Sequence, residues 1–289
     1  MAHRVFSRRS LLRSVVAAGA GLVAGCSPFA LINGLAPAKT HRANRDLAYG
    51  PHPRHRLDLY RPSAGAAAPV AVFFYGGNWH TGNRGDYLFA GEALASRGIV
   101  AVVPDYRLYP EVRFPAFLED CARAVAWTQA NVAQFGGDPR RLVVVGHSAG
   151  AYNAAMLALD PAYLRAAGMA PGTLRGLVGL AGPYDFLPLQ SEISRAVFGF
   201  PDTPAATQPI NFVTAAAPPT LLASGANDQT VDPRNSARLA AQLRRNGVPV
   251  REIVYPRLGH STLIGALAVP LRAIARVLDD VARFILDLG

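Results

Sequence analysis

The sequence predicts one α/β domain built on a mainly parallel sheet, and three observations carry that prediction. Short apolar runs rich in β-branched residues recur along the chain, as strands buried on both faces of a parallel sheet require. Helical patterns separate these runs, giving the strand–helix alternation of βαβ units. With 289 residues, 51% hydrophobic and 17% charged, the chain can bury a large core and is too apolar for disorder.

The elements follow in order. Residues 1–26 open with Arg4, Arg8, Arg9 and Arg13, continue as an apolar run, and end in small residues before Cys26. That is the grammar of a signal peptide, and the run is too short to span a bilayer as a helix. Arg8-Arg9 ahead of Leu11-Leu12 resembles a twin-arginine signal, and "LVAGC" resembles a bacterial lipobox that would make Cys26 the site of lipidation. The expectation is an exported protein, held to a membrane by an N-terminal lipid and facing the periplasm or the cell exterior. Residues 27–45 are polar and Arg-rich without a period and predict a tether, leaving 46–289 as the α/β domain.

Residues 55–62, "HRLDLYRP", alternate with period two and predict a half-exposed early strand. The runs at 70–75, 99–106, 141–147, 176–182, 219–225 and 250–256 predict the buried strands. Helices are predicted near 84–97, 116–134, 149–159 and 234–246, with one long amphipathic stretch from 270 to 287. Between 186 and 218 the rhythm breaks, which predicts a small cap or lid segment over the site.

Composition excludes several functions. The leader arginines account for four of the net charge of +10, leaving about +6 on the remainder. Elsewhere arginines alternate with acids and aliphatics, so no block tracks phosphates and no nucleic-acid partner is expected. Two cysteines, one of them in the leader, provide no disulfide framework, and Cys121 in a helical pattern reads as an apolar packing residue. No Cys/His spacing suggests a metal.

The chemistry centres on "RLVVVGHSAGAYNAA", residues 141–155. An apolar strand runs into Gly-His-Ser-Ala-Gly and then into an Ala/Leu-rich helix. A sharp strand-to-helix turn needs glycines because another Cβ would collide with neighbouring elements. Such a turn holds the Ser148 oxygen clear of the sheet and puts the Ala149 amide at a helix N-terminus. A serine hydroxyl needs a base, and in this architecture the partners follow as serine, acid, histidine. Of the seven histidines only His260 lies beyond Ser148, so elimination selects it, in a loop after the last strand. His147 reads as packing or pocket lining. Asp185 and Asp228 both follow predicted strands; Asp228 is favoured by its loop, "GANDQTVDP", with Asp185 as a pocket-side carboxylate and Asp232 as a helix N-cap. "FFYGGNWHTG", residues 73–82, supplies a second donor arm for an oxyanion, with Gly77 and Asn78 beside Ala149. Trp79 either lines the pocket or packs beneath it.

Taken together, "FFYGGNW", "VPDYRLYPEVRFPAFLEDCARAVAW", "FGGDPRRLVVVGHSAGAYNA", "GANDQTVDP" and "LGHSTL" resemble an α/β-hydrolase. Within that superfamily they are similar to the hormone-sensitive-lipase-like and kynurenine-formamidase-like esterases, a group with feruloyl, acetyl and prenylcysteine methylesterases. The resemblance spans about residues 45–289. It implies a triad of Ser148, Asp228 and His260, oxyanion amides at Gly77, Asn78 and Ala149, no cofactor, and hydrolysis of small-molecule esters of small to medium acyl groups. Formamide or peptide cleavage on the same triad is the alternative reaction, and a silent binding scaffold is the alternative class. The family usually carries His-Gly-Gly where this chain has Tyr75-Gly76-Gly77, a departure that keeps the amides and bears on loop support and substrate preference. Its "PDYRL" segment, Pro104–Leu108 here, is expected as scaffold, with Arg107 in a buried ion pair.

Overall fold

The computed structural model describes residues 28–65, 67–199 and 202–288. The expected signal segment and Cys26 lie outside them.

Eight strands form one sheet: β1 (His41–Ala48), β2 (Arg56–Pro62), β3 (Ala68–Phe74), β4 (Val100–Pro104), β5 (Gly137–His147), β6 (Leu174–Leu180), β7 (Thr220–Gly225) and β8 (Val250–Tyr255). Their spatial order is β1-β2-β4-β3-β5-β6-β7-β8. β1 pairs antiparallel with β2, and β2 with β4; every later pairing is parallel. The central strands are Val-rich and inaccessible on both faces, which is why they read as unbroken apolar runs.

Nine α-helices accompany the described strands: α1 (Pro28–Gly34), α2 (Leu88–Ala95), α3 (Ala116–Asn131), α4 (Ala149–Leu159), α5 (Pro161–Ala166), α6 (Glu192–Phe198), α7 (Arg234–Arg245), α8 (His260–Gly265) and α9 (Val277–Asp287). α4 is buried almost throughout, and its alanines let it lie close beneath the sheet. α7 instead buries Leu239, Ala240 and Leu243 and turns Arg244 and Arg245 outward.

Three sequence expectations are corrected. The segment read as a tether carries structure from Pro28 on: α1 packs Phe29 on Tyr87, and Asn33 Nδ2 donates to the Gly85 and Asp86 carbonyls. β1 then forms the sheet edge, its residues exposed or half-exposed, so it shows no apolar period. The stretch 270–287 is not one helix, because Ala275 is extended between a 3-10 turn (Val269–Ile274) and α9. His260, expected in a loop, is the first residue of the short helix α8. The segment 186–218 does break the rhythm; it contains α6, capped by Ser191 and ended by Gly199 in the left-handed region at φ 79°.

This topology positions the site. From β3 the chain crosses to β4 on one side and later returns to β5 on the other, so the loops after β3 and β5 part from each other. Crevices in open α/β sheets form outside the carboxyl ends of strands at such a reversal. Phe74 is in register with Gly146, which sets the Tyr75–Trp79 loop beside the Ser148 turn.

Candidate active site

Ser148 stands between β5 and α4 with φ 56° and ψ −125°, a conformation an L-residue holds only at a cost of about 1–3 kcal/mol. The flanking glycines make it possible. A Cβ on Gly146 would strike the Gly150 backbone, and one on Gly150 would strike the Phe74 carbonyl. The Ser148 amide donates to the Leu180 carbonyl at 2.9 Å, tying the turn to β6. Ala149 is the first residue of α4, so its amide has no intrahelical acceptor.

Asp228 follows β7 and His260 follows β8. The His260 Nδ1–H donates to Asp228 Oδ2 at 2.8 Å, with the carboxylate fully buried and the imidazole 14% exposed. The other carboxylate oxygen, Oδ1, accepts from the Thr230 and Val231 amides at 2.8 and 2.9 Å. Three donors therefore orient Asp228, and two of them are backbone. Asp185 has a different partner: its Oδ2 lies 2.6 Å from Arg238 Nε. Of the two acids, Asp228 is the one that meets His260. Asp232 accepts from the Arg234 amide at the start of α7 and pairs with the Arg234 side chain, as an N-terminal helix acid should.

The Gly77–Thr81 loop curls because the Gly77 carbonyl accepts from the His80 and Thr81 amides at 3.1 and 2.9 Å. Asn78 and Trp79 both have positive φ, 54° and 57°. With Ser148 they put three non-glycine residues at positive φ around this crevice; Asp46, Ala67 and Ala181 are the others among the described residues. Trp79 both packs and lines: it is 3% exposed, its Nε1 donates to Asn153 Oδ1 at 3.0 Å, and it stacks on Phe186 of the cap.

Tyr75, standing where the family usually has histidine, explains how this loop is supported. Its ring lies between Tyr87 and Tyr106, with centroids at 5.6 and 4.8 Å. Its buried hydroxyl donates to Asp105 Oδ1 and accepts from Arg54 Nη2, both at 2.8 Å. Arg54 also donates to the Gly82 carbonyl, and Arg84 binds Asp105 through both backbone and guanidinium. The glycine loop is therefore clamped from beneath by a charged network. Removing one partner from such a network strands the others in a low-dielectric interior. Tyr75→Phe is expected to lower the unfolding free energy by about 2 kcal/mol in denaturant titrations; a change below about 0.5 kcal/mol would mean the hydroxyl supports nothing. Arg107 meets its expectation, forking onto both oxygens of buried Asp120 at 2.8 Å each.

His147 does more than the packing expected of it. Its ring lies 4.7 Å from the His260 ring, and its Nε2–H donates to the His260 carbonyl at 3.2 Å. Burial first, and the neighbouring His260 second, push its pKa down to about 3. The neutral form is therefore the folded form. Stability from this group is complete above about pH 6.5, the value for an unfolded histidine, and is lost as pH falls toward the folded value. Unfolding free energy should decline across that acidic window in wild type, and His147→Gln should flatten the slope; parallel profiles for the two proteins would refute this role.

Two cavities meet at Ser148. One, of about 660 Å³, is walled by Asn78, Trp79, Ala149 and cap residues Phe186 and Leu187, with Asp185 and Arg238 also lining it. The other, of about 760 Å³, is walled by Gly77, His147 and His260 and by apolar side chains that include Phe29 and Ile32 of α1. Those two contributors were hidden in the supposed tether, although "PFALI" is an apolar run that could have flagged them. Among the described residues, no group of three or more His, Cys, Asp or Glu could hold a metal ion.

A mainly parallel sheet with a nucleophile-type turn at the switch point after β5, and a carboxylate–histidine pair after β7 and β8, defines an α/β-hydrolase. The BD-FAE family model matches residues 57–243, more than half of the chain, and the protein belongs to that family. A probable isoprenylcysteine α-carbonyl methylesterase of Oryza sativa subsp. japonica is 37% identical over 151 residues, covering 50% of this chain and 36% of that protein. Esterase LipC of Mycobacterium tuberculosis is 32% identical over 263 residues, covering 83% of this chain and 65% of that protein. The chain thus spans less than two thirds of the length of these relatives. An inhibited esterase B from Lactobacillus rhamnosis shares the fold at TM-score 0.77 and 20% identity, with 96% of each chain covered.

Proposed function

We propose that the protein is a serine hydrolase of carboxylic esters, working through an acyl-enzyme. The observation that carries this reading is the buried Asp228–His260 pair, 2.8 Å apart, with His260 and Ser148 lining one cavity. Asp228 holds the proton on Nδ1, leaving Nε2 bare as the base. Ser148 Oγ adds to the ester carbonyl as His260 takes its proton. The oxyanion is received by the Gly77, Asn78 and Ala149 amides, each such donor typically contributing about 3 kcal/mol. His260 then gives the proton to the departing alkoxide, and water, deprotonated by the same imidazole, releases the acid. Esters of small to medium acyl groups suit the cavity walled by Trp79 and the cap.

The reading is supported by esterase names among the relatives and by the fold they share. Hydrolysis of p-nitrophenyl esters from acetate to decanoate tests it, alongside labelling by a fluorophosphonate. Turnover peaking at short or medium chains, with the label on the Ser148 peptide, is the expected result. A folded protein that neither turns over nor takes the label would be a binding scaffold. Label without ester turnover would redirect the reading to formamides or peptides. An exported, Cys26-lipidated form is part of the same proposal, tested by the mass of the mature N-terminus.

A further inference from the structure

The tetrahedral carbon formed on Ser148 has four substituents, and three have assigned directions. One is the serine oxygen. The oxyanion points to the Gly77, Asn78 and Ala149 amides. The leaving oxygen must face His260, because that imidazole protonates it as the bond breaks. His260 walls the larger cavity, whereas among the described residues the lining of the other does not include it. The alcohol therefore departs into the larger cavity, and the acyl chain occupies the remaining direction, along Ala149 and Trp79 into the smaller one.

The two chambers differ in chemistry. Beyond its catalytic end the alcohol chamber presents Phe29, Ile32, Phe89, Ile264 and Leu271. His80, Thr81, Asp86 and Ser261 also line its open side, but the five apolar side chains give an aliphatic group contacts that the hydroxyls of a polyol or sugar cannot use. The acyl chamber instead carries the Asp185–Arg238 and Asp232–Arg234 ion pairs. At about 760 and 660 Å³ both chambers have room for more than a methyl or ethyl group, so lining rather than size separates them.

Resting on the serine-esterase reading above, we propose that the two cavities divide the ester, that the released alcohol is a long aliphatic one, and that Phe29 and Ile32 of α1 select it. α1 is fixed over this chamber by Asn33, which bonds the Gly85 and Asp86 carbonyls and accepts from the Phe89 amide at 3.0 Å. The alcohol specificity is thus written in a helix that immediately follows the expected lipidation segment.

Two ester series on the full chain test this: acetates of ethanol through decanol, and ethyl esters of acetate through decanoate. kcat/KM should rise about threefold per methylene along the alcohol series until the chamber is full, and should level off or fall early along the acid series. 1-Decanol should inhibit competitively at concentrations where decanoate does not. The double variant F29A/I32A should reduce the decyl-to-ethyl acetate preference by at least about tenfold, since two large apolar walls are lost. Ile32→Trp, which fills the same space without opening a void, should shift the optimum to shorter alcohols and guards against a simple folding defect. Preference that follows acid length, or a decyl-to-ethyl ratio unmoved in both variants, overturns the division. Failure of wild type to cleave any ester in either series instead overturns the esterase reading itself.

Discussion

Ser148→Ala is expected to lower kcat/KM on p-nitrophenyl esters by at least about four orders of magnitude while the fold survives. Both halves of that expectation come from the geometry. The only nucleophilic oxygen the turn offers is Oγ, and without it neither His260 nor the oxyanion amides have an adduct to act on. The backbone, however, asks nothing of the hydroxyl. Ser148 holds its φ of 56° because Gly146 and Gly150 admit the turn and Leu180 anchors its amide. Alanine carries the same Cβ and meets the same strain, so stability should stay within about 1 kcal/mol. Initial rates, fluorophosphonate labelling and a denaturant titration on one preparation check all three points. Wild-type-like turnover or labelling in the variant would remove Ser148 from the mechanism.

How much of this was legible in the sequence depends on what each residue is asked to do. The central strands read clearly because burial on both faces leaves only one composition available, as at Val143, Val144 and Val145. β1 did not read, because an edge strand exposed on both faces has no apolar period to display. The 270–287 stretch kept its helical period across a real break, since one extended residue, Ala275, leaves the side-chain pattern on either side intact. At the site, Ser148 and His260 followed from motif and chain order alone. Asp228 and Asp185 could be separated only by tertiary contacts, namely which carboxylate meets His260 and which meets Arg238. The Thr230 and Val231 amides on Asp228 left no trace, because any non-proline residue supplies a backbone N–H there. The substitution of tyrosine at 75 was visible at once, yet its sense needed Arg54 and Asp105, which lie 21 residues before it and 30 after it.

Those two backbone amides make the second large prediction unusually directional. Asp228→Asn should reduce kcat/KM by about four orders of magnitude, although the side chain keeps its shape. An asparagine has one acceptor oxygen, and the Thr230 and Val231 amides claim it, because both are donors and can use nothing else. The amide nitrogen is then turned toward His260 Nδ1, where the carboxylate Oδ2 now accepts. A donor facing Nδ1 forces that nitrogen to be the acceptor, so the imidazole proton moves to Nε2, the atom that must be bare to deprotonate Ser148. Alanine at 228 imposes no such tautomer; it removes the orienting charge and leaves the imidazole to choose. Asp228→Asn should therefore be no more active than Asp228→Ala, despite being the more conservative change. Nitrogen-15 shifts of the His260 ring report which nitrogen is protonated in each protein. A bare Nε2 in the Asn variant, or activity well above that of the Ala variant, would show that Asp228 does not act by fixing the tautomer.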